Sequence, residues 1–390
     1  MSRFHSYLNT AREIIQRYKG EEPLSSFLKK FFSGNKKYGS KDRKSITHLC
    51  YCYFRWGRAG MSSPIEERIL SGLFLCSAKP DEILESLRPE WNEKVQLPFE
   101  QKLLIVDQSL YFGDVFPFKD ELSDGVEYEK YTESFFIQPD LFLRIRPGKE
   151  NVVVKKLKEA SMQFTFLTNS CIALPNASRV ENIIELNKEA LIQDYNSQKT
   201  GAFLTDLKPS DPDIQLHVWD CCAASGGKSI LTKDILGNIQ LTVSDIRESV
   251  LINLNKRFAQ AGIGNYKSFV ADLTIGSPLP GSFYDLIICD APCTGSGTWS
   301  RTPEQLFYFD DKKIEEFADR QRKIVLSVIP SLKPGGYLLY ITCSVFKKEN
   351  EEIKSFMANQ FGMEVKKESI LKGDDKKADT MYASLLKKPL

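Results

Sequence analysis

The chain has 390 residues, 42% hydrophobic and 27% charged, with a net charge of +2. That length suits two or three domains, and no stretch approaches the roughly 20 apolar residues of a membrane span. The first twenty residues, "MSRFHSYLNTAREIIQRYKG", carry no apolar signal-peptide core, so a cytoplasmic protein is expected.

The charge is unevenly placed. Residues 1–60 hold 13 Lys and Arg against 4 Asp and Glu, leaving 40 against 47 in the remainder. A basic end on an acidic protein suits a polyanionic partner. Nine cysteines, an odd number in no regular framework, argue for reduced thiols. With no CxxC pair and only His5, His48 and His217, no metal site is expected.

In chain order, the first 135 or so residues read helical. Leu24, Phe27, Leu28, Phe31 and Phe32 recur at the spacing of one buried helix face, as do Ile46, Leu49, Cys50, Tyr53 and Phe54. Ile65, Ile69, Leu70, Leu73 and Phe74 come close to it. Together they predict a small helical bundle. From Pro98 to Glu133 the pattern frays into Pro, Gly and acidic residues and reads as a connection. Residues 136–200 alternate strand-like runs with an amphipathic helix starting near Asn151, a small α+β module. After residue 200 apolar strands are expected at Leu216–Asp220, Leu241–Asp245, Tyr266–Ala271, Tyr284–Asp290 and Gly336–Thr342. Helices lie between them, a long one over Lys312–Ile329. This rhythm predicts a doubly wound parallel sheet.

Cofactors bind such sheets at the carboxyl ends of the strands. The loop after the first, "DCCAASGGKS", lacks the leading glycine of a P-loop, where Cys222 stands, and Asp220 would repel a polyphosphate. A dinucleotide loop needs a third glycine beyond Gly226 and Gly227. Asp245, Asp272 and Asp290 each fall at a strand end, where carboxylates accept from ribose hydroxyls or amino groups. S-adenosylmethionine, with an amine, a ribose and an adenine, suits the three best. Its cradle is then Cys222, Ala223, Ala224, Ser225, Gly226, Gly227 and Lys228.

Cys293 follows the fourth strand and Cys343 the fifth, so both project over one sheet edge beside that cradle. Cys50, Cys52, Cys76 and Cys289 read as small buried hydrophobes. A thiol beside a methyl donor suits pyrimidine chemistry, because addition at carbon 6 makes carbon 5 nucleophilic. Asp290 is placed to stabilise the ring at nitrogen 3, and Lys228 to lower a thiol pKa.

The stretches "QDYNSQ", "DCCAASGGKS", "DAPCTGSG" and "YITCSVFKKENEE" resemble, in order, the motifs of the Nop/Sun (RsmB-like) family of RNA cytosine-5 methyltransferases. The resemblance runs from about Gln193 to the C-terminus. It implies Cys343 as nucleophile and Cys293 as the residue assisting product release, with Asp290 and Lys228 beside them. It also implies an α/β Rossmann-like S-adenosylmethionine-dependent methyltransferase domain at 201–390. More loosely, "LRIRPG" resembles the start of an RRM-like subdomain, placed at 136–200. "GSKDRKSITHLCYCYFRW" is similar to a helix of a NusB-like RNA-binding bundle, placed at 1–135. Ribosomal RNA is the expected substrate, transfer RNA the rival, and a monomer the default.

Three residues depart from the family pattern: Ser225 for proline, Ser300 (before Arg301) for arginine, and Arg146 for asparagine. The last two are expected at RNA-facing positions. A DNA cytosine-5 methyltransferase would use Cys293 as nucleophile and leave Cys343 without a purpose. A non-catalytic RNA-binding assembly factor would be free to lose both cysteines.

Overall fold

The structure is a computed structural model that describes residues 3–106, 112–276 and 283–390. The chain divides into two compact units. One comprises residues 1–122, 127–138 and 298–310, the other residues 123–126, 139–297 and 311–390. No helix among the described residues is long and apolar enough to cross a membrane.

The first unit is helical. Helices α1 (Arg3–Arg17), α2 (Leu24–Gly34), α3 (Ser40–Arg55) and α4 (Ile65–Cys76) bury one stripe each, including Ile14, Leu28, Leu49 and Phe74, in a common core. The predicted faces of α2, α3 and α4 are those that pack. The stretch read as a connection, Pro98–Glu133, instead forms helices at Phe99–Val106, Phe112–Val115 and Tyr128–Ser134; residues 107–111 of it lie outside the described residues. Between its Pro and Gly residues the stretch has enough apolar surface to fold, because Phe99, Leu103, Phe116 and Tyr131 are all buried.

The segment 298–310 completes this unit from far along the chain. Glu304 Oε1 accepts the backbone N–H of Leu24 at the start of α2, at 3.1 Å. Tyr308 donates to the Tyr18 carbonyl at 2.9 Å, and the Phe307 ring lies 5.4 Å edge-on from Phe54. Arg55, almost fully buried, donates to the carbonyls of Phe135 and Ser300 and to Gln138 Oε1. A buried guanidinium is tolerated only when its donors are met in this way.

In the second unit, β1 (Leu141–Ile145), β2 (Thr165–Thr168), β3 (Cys171–Leu174) and β4 (Ala190–Ile192) form an antiparallel sheet in the order β2-β3-β1-β4. A helix at Glu150–Glu159 buries Val153 and Leu157 against it.

The main sheet contains β5 (Leu216–Asp220), β6 (Ile239–Asp245), β7 (Tyr266–Val270), β8 (Tyr284–Asp290), β9 (Leu332–Thr342), β10 (Glu364–Leu371) and β11 (Met381–Lys387). Their order is β10-β11-β9-β8-β5-β6-β7. The five predicted strands are present and mutually parallel. The sheet is nevertheless mixed, since β11 runs antiparallel to both β9 and β10. On one face Val218, Val243 and Ile288 pack on the helices Gly227–Leu236 and Glu248–Ala261. On the other, Trp219, Ile287 and Tyr340 pack on Lys312–Val328 and Glu351–Phe361. Burial on both faces is why β5 and β8 read as largely apolar runs.

Candidate active site

β5 ends at the fully buried Asp220, whose Oδ2 accepts from Ser229 Oγ at 2.5 Å; burial pushes the Asp220 pKa up to about 7. The chain then turns sharply. Ala224 sits at φ 46, a strained conformation for a residue with a side chain, and its N–H donates to Asp245 Oδ2 at 3.1 Å. Gly226, at φ +83, begins the helix Gly227–Leu236; a Cβ there would lie 2.6 Å from the Phe258 ring. Ser225 is held from outside the loop: Arg257 donates to its carbonyl at 2.9 Å and to its Oγ at 2.5 Å.

Beside this loop is a cavity of about 530 Å³, within the range of small-molecule sites. Asp245, Asp272 and Asp290 all line it, with Cys222, Ala224 and Cys293. Ala223, Ser225, Gly226, Gly227 and Lys228 shape the loop without being part of that lining. Asp245 accepts from the Ala224 N–H and from Arg247, through its backbone N–H at 3.0 Å and Nε at 3.1 Å. Asp272 accepts from the backbone and hydroxyl of Thr274 at 2.9 and 2.6 Å, which lowers its pKa. Sequence reading missed Arg247 and Arg320, which also line the cavity. No local pattern marks a single arginine as a site residue.

Lys228 Nζ donates to Asp290 Oδ2 at 3.0 Å and to Ser197 Oγ at 2.8 Å, its side chain only 10% exposed. Burial favours the neutral amine, but the charge and hydrogen bond of Asp290 help to outweigh it and raise the Lys228 pKa. Ser197 belongs to the "QDYNSQ" stretch, so that motif reaches the site through the lysine.

Cys293 and Cys343 are both half-buried and free. The neighbouring Cys293 thiol, burial and the Asp290 charge hold the Cys343 thiol well above its usual pKa, while Lys228 offsets only part of the rise. Lys228 thus acts on this thiol in the expected direction, and the other influences outweigh it. The two cysteine loops are stapled together. Gly297 N–H donates to the Cys343 carbonyl at 2.8 Å, and Thr380 N–H to the Gly297 carbonyl at 2.9 Å. A Cβ on Gly297 would meet Thr380 O at 1.8 Å.

Glu349, fully buried, adds a second staple. It accepts from Thr294 N–H (2.9 Å) and Oγ1 (2.6 Å), Ser344 Oγ (2.5 Å) and Gln321 Nε2 (3.0 Å). Thr294 and Ser344 each follow one of the two cysteines. That repetition was the only signal for Glu349 in the sequence.

The departures at Arg146 and Ser300 resolve differently from expectation. The Arg146 side chain is 15% exposed and pairs with Asp234 at 2.6 Å. It also donates to the carbonyls of Asn187 and Ala261. Its guanidinium is tied into the second unit rather than presented to solvent. Ser300 is buried in the helical unit, where its carbonyl receives Arg55.

Residues 204–386 match the family described as 16S rRNA methyltransferase RsmB/F. The match covers a little under half of the chain, and over that part the chain is similar to the RsmB/F family. It is a family of S-adenosylmethionine-dependent methyltransferases. The chain is 32% identical over 167 residues to ribosomal RNA small subunit methyltransferase B of Enterobacter sp. (strain 638), covering 43% of this chain and 38% of that protein. It is 27% identical over 156 residues to ribosomal RNA small subunit methyltransferase F of Shewanella piezotolerans, covering 40% of this chain and 33% of that protein. The matches thus span well under half the length of these relatives. In fold, the chain is similar to NSun6 from Pyrococcus horikoshii with SFG, with a TM-score of 0.58, 16% identity, and coverage of 71% of this chain and 96% of the other.

Proposed function

We propose that this protein is an S-adenosylmethionine-dependent RNA cytosine-5 methyltransferase acting on ribosomal RNA through a covalent cysteine adduct. The observation that carries the reading is the Lys228–Asp290 ion pair beside a cavity edged by three carboxylates and by Cys293, with the free thiol of Cys343 next to them. The donor set fits the cofactor, whose amine, ribose hydroxyls and adenine amino group all need acceptors. When bound, it supplies an electrophilic methyl group. Asp245 is the ribose acceptor in this reading; Arg247, 61% exposed along its side chain, is the partner free to swing away.

The chain's own residues then act on the cytosine. Cys343 gives up its proton and its sulfur bonds to carbon 6, moving electron density to carbon 5. Asp290, positioned by Lys228, takes that proton and hands it to ring nitrogen 3, and the proton returns by the same route when the adduct breaks down. Once carbon 5 has taken the methyl group, Cys293 assists removal of the carbon 5 proton. The carbon 6–sulfur bond breaks and the Cys343 thiol returns.

The target cytosine must be unstacked or single-stranded to admit a thiol. The four-stranded antiparallel sheet at 141–192 with its single helix supports an RRM-like module. The basic helices of residues 1–60 support a NusB-like RNA-binding bundle. A monomer working in the cytoplasm completes the proposal.

The test is to incubate Cys293→Ala, Cys343→Ala and the double variant with S-adenosylmethionine and total RNA, then run denaturing gels. Cys293→Ala alone is expected to form a slow-migrating covalent RNA adduct, and sequencing it names the substrate. Trapping by Cys343→Ala instead reverses the two roles. RNA methylation by the wild type with no adduct in any variant sinks the covalent mechanism.

A further inference from the structure

Cys221 and Cys289 are brought together by strand register. β5 and β8 run parallel with Asp220 opposite Ile288, and the Cys221 N–H continues the ladder to the Ile288 carbonyl at 2.9 Å. The two side chains therefore fall side by side on one face, in the apolar layer with Trp219, Ile287 and Tyr340. Cys222 follows where the chain turns. The three sulfur atoms all lie within 4.8 Å of one another.

Cys221 and Cys289 are fully buried, whereas Cys222 is half-buried, and Cys221 and Cys222 line the 530 Å³ cavity. A lone buried cysteine packs as a small hydrophobe. Three sulfurs converging at the floor of a cavity also match the spacing a metal ion requires. Metal–sulfur bonds of about 2.3 Å in a trigonal or tetrahedral arrangement put the sulfurs about 4 Å apart. Soft thiolate donors select thiophilic ions such as Zn²⁺, Cd²⁺ or Cu⁺. The sequence hides this set, because its third member comes from a different strand and no CxxC spacing arises.

We propose that Cys221, Cys222 and Cys289 form a three-thiolate site for a thiophilic d¹⁰ cation at the floor of the cavity. Binding a divalent ion converts three thiols to thiolates: M²⁺ and three R–SH give M(SR)₃⁻ and release three protons to solvent. The fourth coordination position faces the cavity. An ion there occupies the space assigned above to the cofactor and excludes it; this consequence rests on the proposed function, whereas the metal site does not.

The full chain is titrated with Cd²⁺ alone and followed by thiolate-to-cadmium absorption in the ultraviolet. One equivalent is expected to bind to the wild type and to Cys293→Ala/Cys343→Ala, with the band lost in Cys221→Ala/Cys289→Ala. Circular dichroism checks that this variant is folded, and Cys221→Val, which keeps the volume, is the second test should it not be. A band that is absent from the wild type, survives in both Cys221 variants, or is lost with Cys293 and Cys343 overturns the proposal. In parallel, S-adenosylhomocysteine binding is measured by calorimetry with and without one equivalent of Cd²⁺. Cadmium is expected to weaken it at least tenfold in the wild type and not in the folded Cys221 variant. Failure of S-adenosylhomocysteine to bind without cadmium counts against the cofactor reading alone, and the absorption experiment still decides the metal site.

Discussion

At the scale of single residues, polar groups at this site have their partners supplied from distant parts of the chain. Ser225 is fixed by Arg257, 32 positions away, and this does by hydrogen bonding what a proline ring would do by covalent constraint. Glu349 offers only acceptors to four donors. In Glu349→Gln the amide nitrogen must face one of those donors, leaving a buried clash and an unmet hydrogen bond. Chemical denaturation is expected to show a loss of about 2–3 kcal/mol, with methyl transfer reduced because the Cys293 and Cys343 loops lose a shared anchor. Unchanged stability would mean that the carboxylate is not the staple described.

At the scale of elements, β5 and β8 were legible because burial makes them largely apolar runs, "LHVWD" and "YDLIICD". β10 was missed because its sequence, "EVKKESIL", is mostly exposed and shows neither periodicity. The helices within Pro98–Glu133 were missed because short helices carry too few turns to display a face. The segment 298–310 offered no signal at all for joining the helical unit, since its partners lie about 280 residues away in sequence. Glu304 makes that link measurable. Its carboxyl is nearly fully buried and accepts from Leu24 N–H, and burial raises its pKa above the usual glutamate value.

The folded state therefore holds the Glu304 proton more tightly than the unfolded chain. Its contribution to stability is complete below the unfolded pKa of about 4.3 and is lost as pH rises through the folded value. Glu304→Gln keeps the acceptor without the charge. It should be more stable than the wild type at pH 8 and indistinguishable at pH 4.5, as read by thermal unfolding. A constant difference across that range would refute the assignment.

At the scale of the whole molecule, the charge asymmetry is the feature with a direct thermodynamic consequence. Lys36, Lys37, Lys41 and Lys44 are exposed in the basic region, and lysines that neutralise phosphates release counterions. Replacing all four with glutamate is expected to weaken RNA binding at least tenfold. The slope of log affinity against log salt should become shallower by about one for each phosphate that is no longer neutralised. S-adenosylhomocysteine binding should not change. An unchanged salt slope would remove residues 1–60 from the RNA-binding surface.

The sequence by itself determined the alternation of strand and helix, and with it the placing of Asp245, Asp272, Asp290, Cys293 and Cys343 at strand ends on one edge. Periodicity and burial are local properties, and they suffice for that much. Only the tertiary structure decided that Lys228 is held by Asp290 and Ser197 and that Arg146 is paired with Asp234. The same holds for Cys221, Cys222 and Cys289, which converge on one point. Such pairings depend on strand register and on which helix covers which face, and these follow from packing between residues that no local pattern connects.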